Sequence, residues 1–249
     1  MKLTILISTL ASRVYGLKSV LDSVDIACYT IIIVQGHCDG DIKKYLQSLS
    51  KSYGSRILYS NTVGVTSSRN IGINSCTTPY ALFCDDDIQY VPGSLAKVIS
   101  SFEENPDAAF LTYNVIDENG INLKQYPQTV IRHSKFSIMK VGTIEVAVNM
   151  DICRGVNFPE DMGAGKKLYC CDEPVYLSNI INKLKDKKNA GYHVPLTLCI
   201  HPRISSGKSL KSRYALLTRW ICFKRVYPFY QAPIVFIAFC VKNFRKIFL

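Results

Sequence analysis

The feature that most constrains this chain is an alternation of β-branched apolar runs with helical patterns through its first half. "LTILIST" (3–9), "YTIIIVQG" (29–36), "SRILYSN" (55–61), "YALFC" (80–84) and "AAFLTYNVID" (108–117) read as strands. Helix signals lie between them. "GLKSVLDSV" comes after the first strand, and "TSSRNIGINSC" (66–76) opens on capping residues. In "GSLAKVISSFEENP", Leu95, Val98, Ile99 and Phe102 fall at i, i+3, i+4 and i+7 before Pro106 stops the helix. Repeated βα units of this length predict an α/β fold with a mostly parallel central sheet flanked by helices. The opening "MKLTILISTLASR" imitates a secretory leader, but Thr4, Ser8 and Thr9 break its apolar run. A first buried strand fits better, because the βα pattern continues directly from it. No internal repeat or low-complexity linker interrupts the pattern.

Composition excludes several classes. With 249 residues, 48% of them hydrophobic, the chain folds and is not disordered. Its ten cysteines are widely spread, make no CxxC pair and in part sit in apolar runs (Cys84, Cys199, Cys240). That pattern predicts reduced thiols in a cytosolic protein rather than a disulfide scaffold or structural zinc. The net charge of +11 suggests nucleic acid only until it is located. From Lys187 onward there are 12 Lys and Arg and no acid, so the preceding body is nearly neutral. The basic character belongs to a tail, which points to a body plus an anchoring segment.

Three adjacent carboxylates, Asp85, Asp86 and Asp87, end the strand "YALFC". Ligands of parallel sheets bind beyond the carboxyl ends of strands. In an extended segment Asp85 and Asp87 share a face and Asp86 points away. Two converging carboxylates suit a divalent cation. An acidic surface turn is the competing interpretation.

Together these elements resemble glycosyltransferase family 2, whose catalytic domain has the GT-A fold. "LTILIST" resembles that family's first nucleotide-site strand, and "GVTSSRNIGI" (64–73) its Gly-x-x-x-Ala-Arg-Asn-x-Gly helix, with Ser68 in place of Ala. "ALFCDDDI" is similar to its Asp-x-Asp strand end, and "FPEDMGAGKKLYCCDEPVYL" (158–177) to its acceptor-side segment. "IHPRISSG" (200–207) resembles a late His-and-Ser element. The likeness covers residues 1–207 as a catalytic domain and leaves 208–249 as a basic, aromatic, helical tail.

The resemblance implies an inverting transferase that moves a hexose from a nucleotide sugar, most simply a UDP-sugar, to a hydroxyl of a glycan acceptor. It implies a lipid-linked acceptor in bacterial surface polysaccharide synthesis, with the enzyme peripheral at the inner face of the plasma membrane. Asp87, Asp85 and His201 are the implied ligands of Mn²⁺ or Mg²⁺. Ser8, Thr9, Gln35, Arg69, Asp85 and Asp86 are the implied donor-binding residues. Glu173 holds the position of the general base, with Asp172 beside it as the alternative. Gln35 departs from the family, which has an Asp-rich turn there to read the base. Asp172 also suits a helix start next to Pro174.

A nucleotidyltransferase of related fold is a rival, but it wants a Gly-rich basic loop after the first strand, where "STLASRVYG" offers Arg13 and Gly16. A nucleic-acid-binding protein leaves the triple aspartate unexplained. In the tail, the longest uncharged run, Val226 to Val241, contains Pro228 and Pro233 and falls short of a membrane span of roughly 20 residues. The tail therefore carries two expectations: attachment to an anionic membrane surface, or a helical subdomain packed on the body.

Overall fold

The computed structural model describes residues 1–184, 190–203 and 214–244. Its elements run β1 (Leu3–Leu10), α1 (Leu17–Asp22), β2 (Tyr29–Gln35), α2 (Gly40–Tyr53), β3 (Arg56–Ser60), α3 (Val65–Ser75), β4 (Tyr80–Asp85), β5 (Gln89–Tyr90) and α4 (Ser94–Glu104). Then come β6 (Phe110–Ile116), β7 (Ile131–Arg132), β8 (Val146–Asn149), α5 (Met150–Cys153), α6 (Asp172–Lys183), β9 (Gly191–Ile200), α7 (Ala215–Val226) and α8 (Ala232–Lys242). One sheet orders the strands β3-β2-β1-β4-β8-β6-β9-β5, with β7 on β9.

The long ladders are parallel: β1 with β2 and β4, β2 with β3, and β6 with β9. The antiparallel ones involving β5, β7 and β8 hold only two or three residue pairs each. A mostly parallel sheet is therefore observed, with one difference from the simple βα series. β6 does not neighbour β4, because the short apolar β8 runs antiparallel between them.

Two apolar layers cover the sheet. On one face Leu17, Val20, Leu46, Leu95, Val98 and Phe102, from α1, α2 and α4, pack on Ile5, Ile7 and Leu82. On the other, α3, α6 and α7 pack through Ile73, Val175, Ile180, Cys222 and Phe223 on Leu6, Ile33 and Phe83. β1 alternates its side chains between the two layers, which is why both faces of "LTILIST" are apolar. All ten cysteines are free thiols. No described helix is long and apolar enough to cross a membrane.

Gly191 faces Phe110 across the β6–β9 ladder. A methyl group there would sit inside van der Waals contact of the buried Phe110 ring. Gly191→Ala should destabilise the protein by about 1–3 kcal/mol through overpacking, read as a lower denaturant midpoint at unchanged slope. An unshifted midpoint would show that the ring moves aside freely.

Candidate active site

The carboxyl ends of β1, β2 and β4 lie side by side, with Ser8 opposite Asp85 and Leu10 opposite Gln35. β4 ends at Asp85, so Asp86 and Asp87 begin a turn and the three carboxylates part company. Asp85 lies 3.5 Å from Arg69 Nη2. Asp86 turns inward, accepting a hydrogen bond from Thr9 Oγ1 at 2.5 Å and pairing with Arg13 Nη2 at 2.6 Å. Asp87 takes the same Arg13 nitrogen at 2.8 Å and approaches His201 Nε2 at 3.4 Å. Asp85 and Asp87 keep 36% of their side-chain surface exposed, against 6% for Asp86. Burial raises the pKa of Asp85 against the pull of Arg69, and that of Asp86 against Thr9 and Arg13.

Ser8 is buried and accepts from Ser68 Oγ at 3.0 Å. Gln35 is buried too, donating from Nε2 to the carbonyls of Thr62 and Gly64, both at 2.9 Å, so it anchors that loop. Asp39 caps α2 by accepting from the Ile42 N–H.

The carboxylate pair opens α6. Asp172 and Glu173 occupy its first turn, where the helix dipole favours negative charge, and Pro174 sits where no N–H is needed. The two carboxylates are held differently. Asp172 is buried and pairs with Arg69 Nη1 at 2.8 Å. Glu173 keeps 22% side-chain exposure, stands 4.0 Å from the same nitrogen, and accepts from Thr143 Oγ1 at 2.6 Å. Desolvation and the adjacent Glu173 push the Asp172 carboxyl up to about 7, while Arg69 opposes them. Arg69 itself is buried and held charged by Asp172, Asp85 and Glu173, which outweigh its own desolvation. One guanidinium therefore joins the strand-end aspartates to the α6 carboxylates.

His201 comes directly after β9 and meets Asp87, whereas residues 204–207 of the "IHPRISSG" element lie outside the described residues. Two members of the site, Arg13 and Thr143, are not marked by the sequence motifs. A basic residue just past the first strand was a usable signal for Arg13. Thr143 carried none, since its partner is 30 positions away. Among the described residues no three His, Cys, Asp or Glu form a metal cluster. Asp87 and His201 offer one oxygen and one nitrogen donor, a set compatible with a divalent ion whose other ligands are phosphate oxygens and water.

The geometry can be set beside known proteins. Residues 15–161 match the family model described as Glycosyl transferase family 2. The chain belongs to that family. Its fold is the GT-A fold of glycosyltransferases. TarS of S. aureus aligns over 98% of this chain and 44% of its own length at 12% identity, with a TM-score of 0.69. TarS 1–349 in complex with UDP-GlcNAc aligns over 98% and 73% at 13% identity, also with a TM-score of 0.69. The mannosyltransferase PcManGT of Pyrobaculum calidifontis, in complex with GDP-Man and Mn²⁺, aligns over 97% and 64% at 11% identity, with a TM-score of 0.57. The chain thus spans less than half of full-length TarS, and at these identities the likeness is one of fold. A comparison with curated protein sequences finds no match.

Removing Arg69 leaves the buried Asp172, and the partly exposed Asp85 and Glu173, without their shared cation. Arg69→Met should cost about 3–5 kcal/mol near neutral pH. In the wild type, Asp172 has its folded pKa raised from 3.8 to about 7. Its contribution to stability is therefore fully present below the unfolded pKa and is lost as pH rises through the folded value. Denaturant midpoints between pH 4 and 8 should show that decline in the wild type, a steeper one in Arg69→Met, and a flatter one in Asp172→Asn. A wild type and Asp172→Asn with parallel profiles would refute the assignment.

Proposed function

We propose that the protein transfers a hexose, with inversion, from a UDP-sugar to a hydroxyl of a lipid-linked glycan acceptor. The setting we propose is bacterial surface polysaccharide synthesis at the inner face of the cytoplasmic membrane. The observation that carries the reading is the unequal treatment of the α6 pair. Asp172 is consumed by Arg69, whereas Glu173 stays accessible and is held by Thr143. Of the two, Glu173 is the carboxylate that an acceptor hydroxyl can reach.

In this mechanism Glu173 accepts the proton of the acceptor hydroxyl as that oxygen attacks the anomeric carbon. The new C–O bond forms on the face opposite the leaving nucleoside diphosphate, whose C–O bond breaks with inversion. Thr143 fixes the base in place. Asp87 and His201 would hold Mn²⁺ or Mg²⁺, which supplies charge stabilisation for the departing diphosphate. Arg13, tied to Asp86 and Asp87, adds a second positive charge beside them. Asp85 and Arg69 shape the floor of the donor site, with Ser8 and Thr9 bracing it from β1. Gln35 acts on the base pocket through the loop it anchors.

Two measurements test this. A thermal-shift panel of nucleotides should show stabilisation by UDP and UDP-sugars that depends on Mn²⁺ and is absent in Asp87→Ala. A ligand at 100 times its Kd adds about 2.7 kcal/mol. Glu173→Gln should keep that shift while transfer falls by about 10²–10⁴. Wild-type turnover in EDTA, or in Glu173→Gln, would overturn the corresponding role.

A further inference from the structure

The C-terminal helices have two unlike sides. α7 buries Ala215, Cys222, Phe223 and Val226, and the turn after it buries Tyr227. α8 packs inward through Val235, Phe236 and Phe239. Its other side is apolar as well and faces solvent. Ile234, Ile237 and Val241, at i, i+3 and i+7, are 65%, 62% and 71% exposed. Just before the helix, Phe229 is 89% exposed and Tyr230 59%. Between α7 and α8 opens a groove of about 440 Å³ lined by Leu216, Leu217, Trp220, Pro233, Phe236 and Ile237, without a charged residue. A helix apolar on every side is normally buried on every side. Among the described residues, one stripe and one groove are left uncovered.

The charge pattern says what covers them. Lys224 and Lys242 are exposed on the same two helices, and no acidic residue occurs after Asp186. A second copy meeting this face would bring two basic, acid-free segments together, which is repulsive. An anionic bilayer offers hydrocarbon to the stripe and negative headgroups to its flanks. α8 cannot span it: 11 residues extend about 16 Å against a hydrocarbon core of about 30 Å. Aromatic residues beside the stripe (Trp220, Phe229, Tyr230) are of the kind that sits at the headgroup level.

We propose that α8 lies in the plane of an anionic membrane with Ile234, Ile237 and Val241 inserted, and that lipid acyl chains fill the α7–α8 groove. The proposal rests on the membrane-surface setting of the proposed function and assigns it to one face. That face is braced against the acceptor side of the enzyme. On α7, Arg225 makes a two-point ion pair with Asp161 at 2.7 and 2.8 Å, and Arg219 donates to Cys170 Sγ at 2.8 Å. Both partners lie in the segment leading to Asp172 and Glu173. A membrane docked on α8 therefore sits against the same helix pair that supports the acceptor segment.

The full-length protein should float with vesicles of phosphatidylglycerol and phosphatidylcholine, more weakly at high salt, and not with phosphatidylcholine alone. Trp220 is the only tryptophan, so acyl-brominated lipid should quench its emission without any mutation. The triple variant Ile234→Glu, Ile237→Glu, Val241→Glu should lower vesicle partitioning about tenfold or more. It should keep the wild-type UDP shift, which also reports that it is folded. If the wild type never floats, the membrane setting itself fails. If it floats and the triple variant floats equally, or Trp220 is not quenched, the face is wrong while the setting survives. A wild-type dimer that the triple variant dissolves, with no flotation, would assign the face to a second copy.

Discussion

The structure turns on Arg69. Its guanidinium is buried among Asp85, Asp172 and Glu173, at 3.5, 2.8 and 4.0 Å. A buried carboxylate is costly without a partner, and three around one cation leave an excess of negative charge. With Asp86 and Asp87 included, five carboxylates face two guanidiniums, Arg69 and Arg13. That imbalance adds to burial in raising Asp85, Asp86 and Asp172 above ordinary carboxylates. It also explains why three aspartates in a row are tolerable at a strand end. Asp85 goes to Arg69, Asp86 to Thr9 and Arg13, and Asp87 to Arg13 and His201, and the excess of carboxylates over guanidiniums is an attraction for a cation.

Arg69 can reach both sides because α3 is a polar helix inside the protein. Thr66, Ser67, Ser68, Arg69 and Asn70 are all buried on it. Ser68 bonds Ser8 on β1, while Thr66 donates to the Met162 carbonyl at 3.0 Å. Asn70 bonds both the N–H and the carbonyl of Phe158 and reaches Glu160. The segment from Phe158 to Cys171 has little regular structure of its own, so its backbone groups take partners from this helix. Gly163 completes the arrangement. At φ +95° it lies so close to Thr66 and Asp172 that a side chain there would strike both. The "SSRN" run thus links the strand ends to the α6 carboxylates.

What the sequence made legible tracks the range of the forces involved. β1 to β4, β6 and the helix at 94–104 were readable because a buried βα unit leaves its period in ten or so neighbouring residues. β5, β7 and β8 were not, being two to four residues long and defined by partners far along the chain. The gathering of Asp85, Asp87, Arg69, His201 and the α6 pair owes more to the resemblance than to local pattern. The difference between Asp172 and Glu173 was beyond reach, since it depends on Thr143 in a loop with no readable motif. Arg13 pairs with residues more than 70 positions away, and Asp86 turned out to serve Thr9 and Arg13 because the strand stops one residue before it.

Of the two expectations for the tail, packing on the body is observed, and the membrane surface is what we propose for its outer face. α7 packs on the body as a helical subdomain should, contributing Cys222, Phe223 and Val226 to the layer that also holds α6. α8 adds an apolar exterior that packing on the body does not need. Stability alone would favour polar residues at Ile234, Ile237 and Val241, because exposed apolar stripes invite aggregation. In the proposed setting the stripe has a physical advantage. An acceptor carried on a lipid and an enzyme resting on the same leaflet meet at an effective concentration set by the surface rather than the cell volume. Such an enzyme has less need of strong contacts to its acceptor. Its binding interactions can then be concentrated on the donor and on the transition state, where they raise the rate.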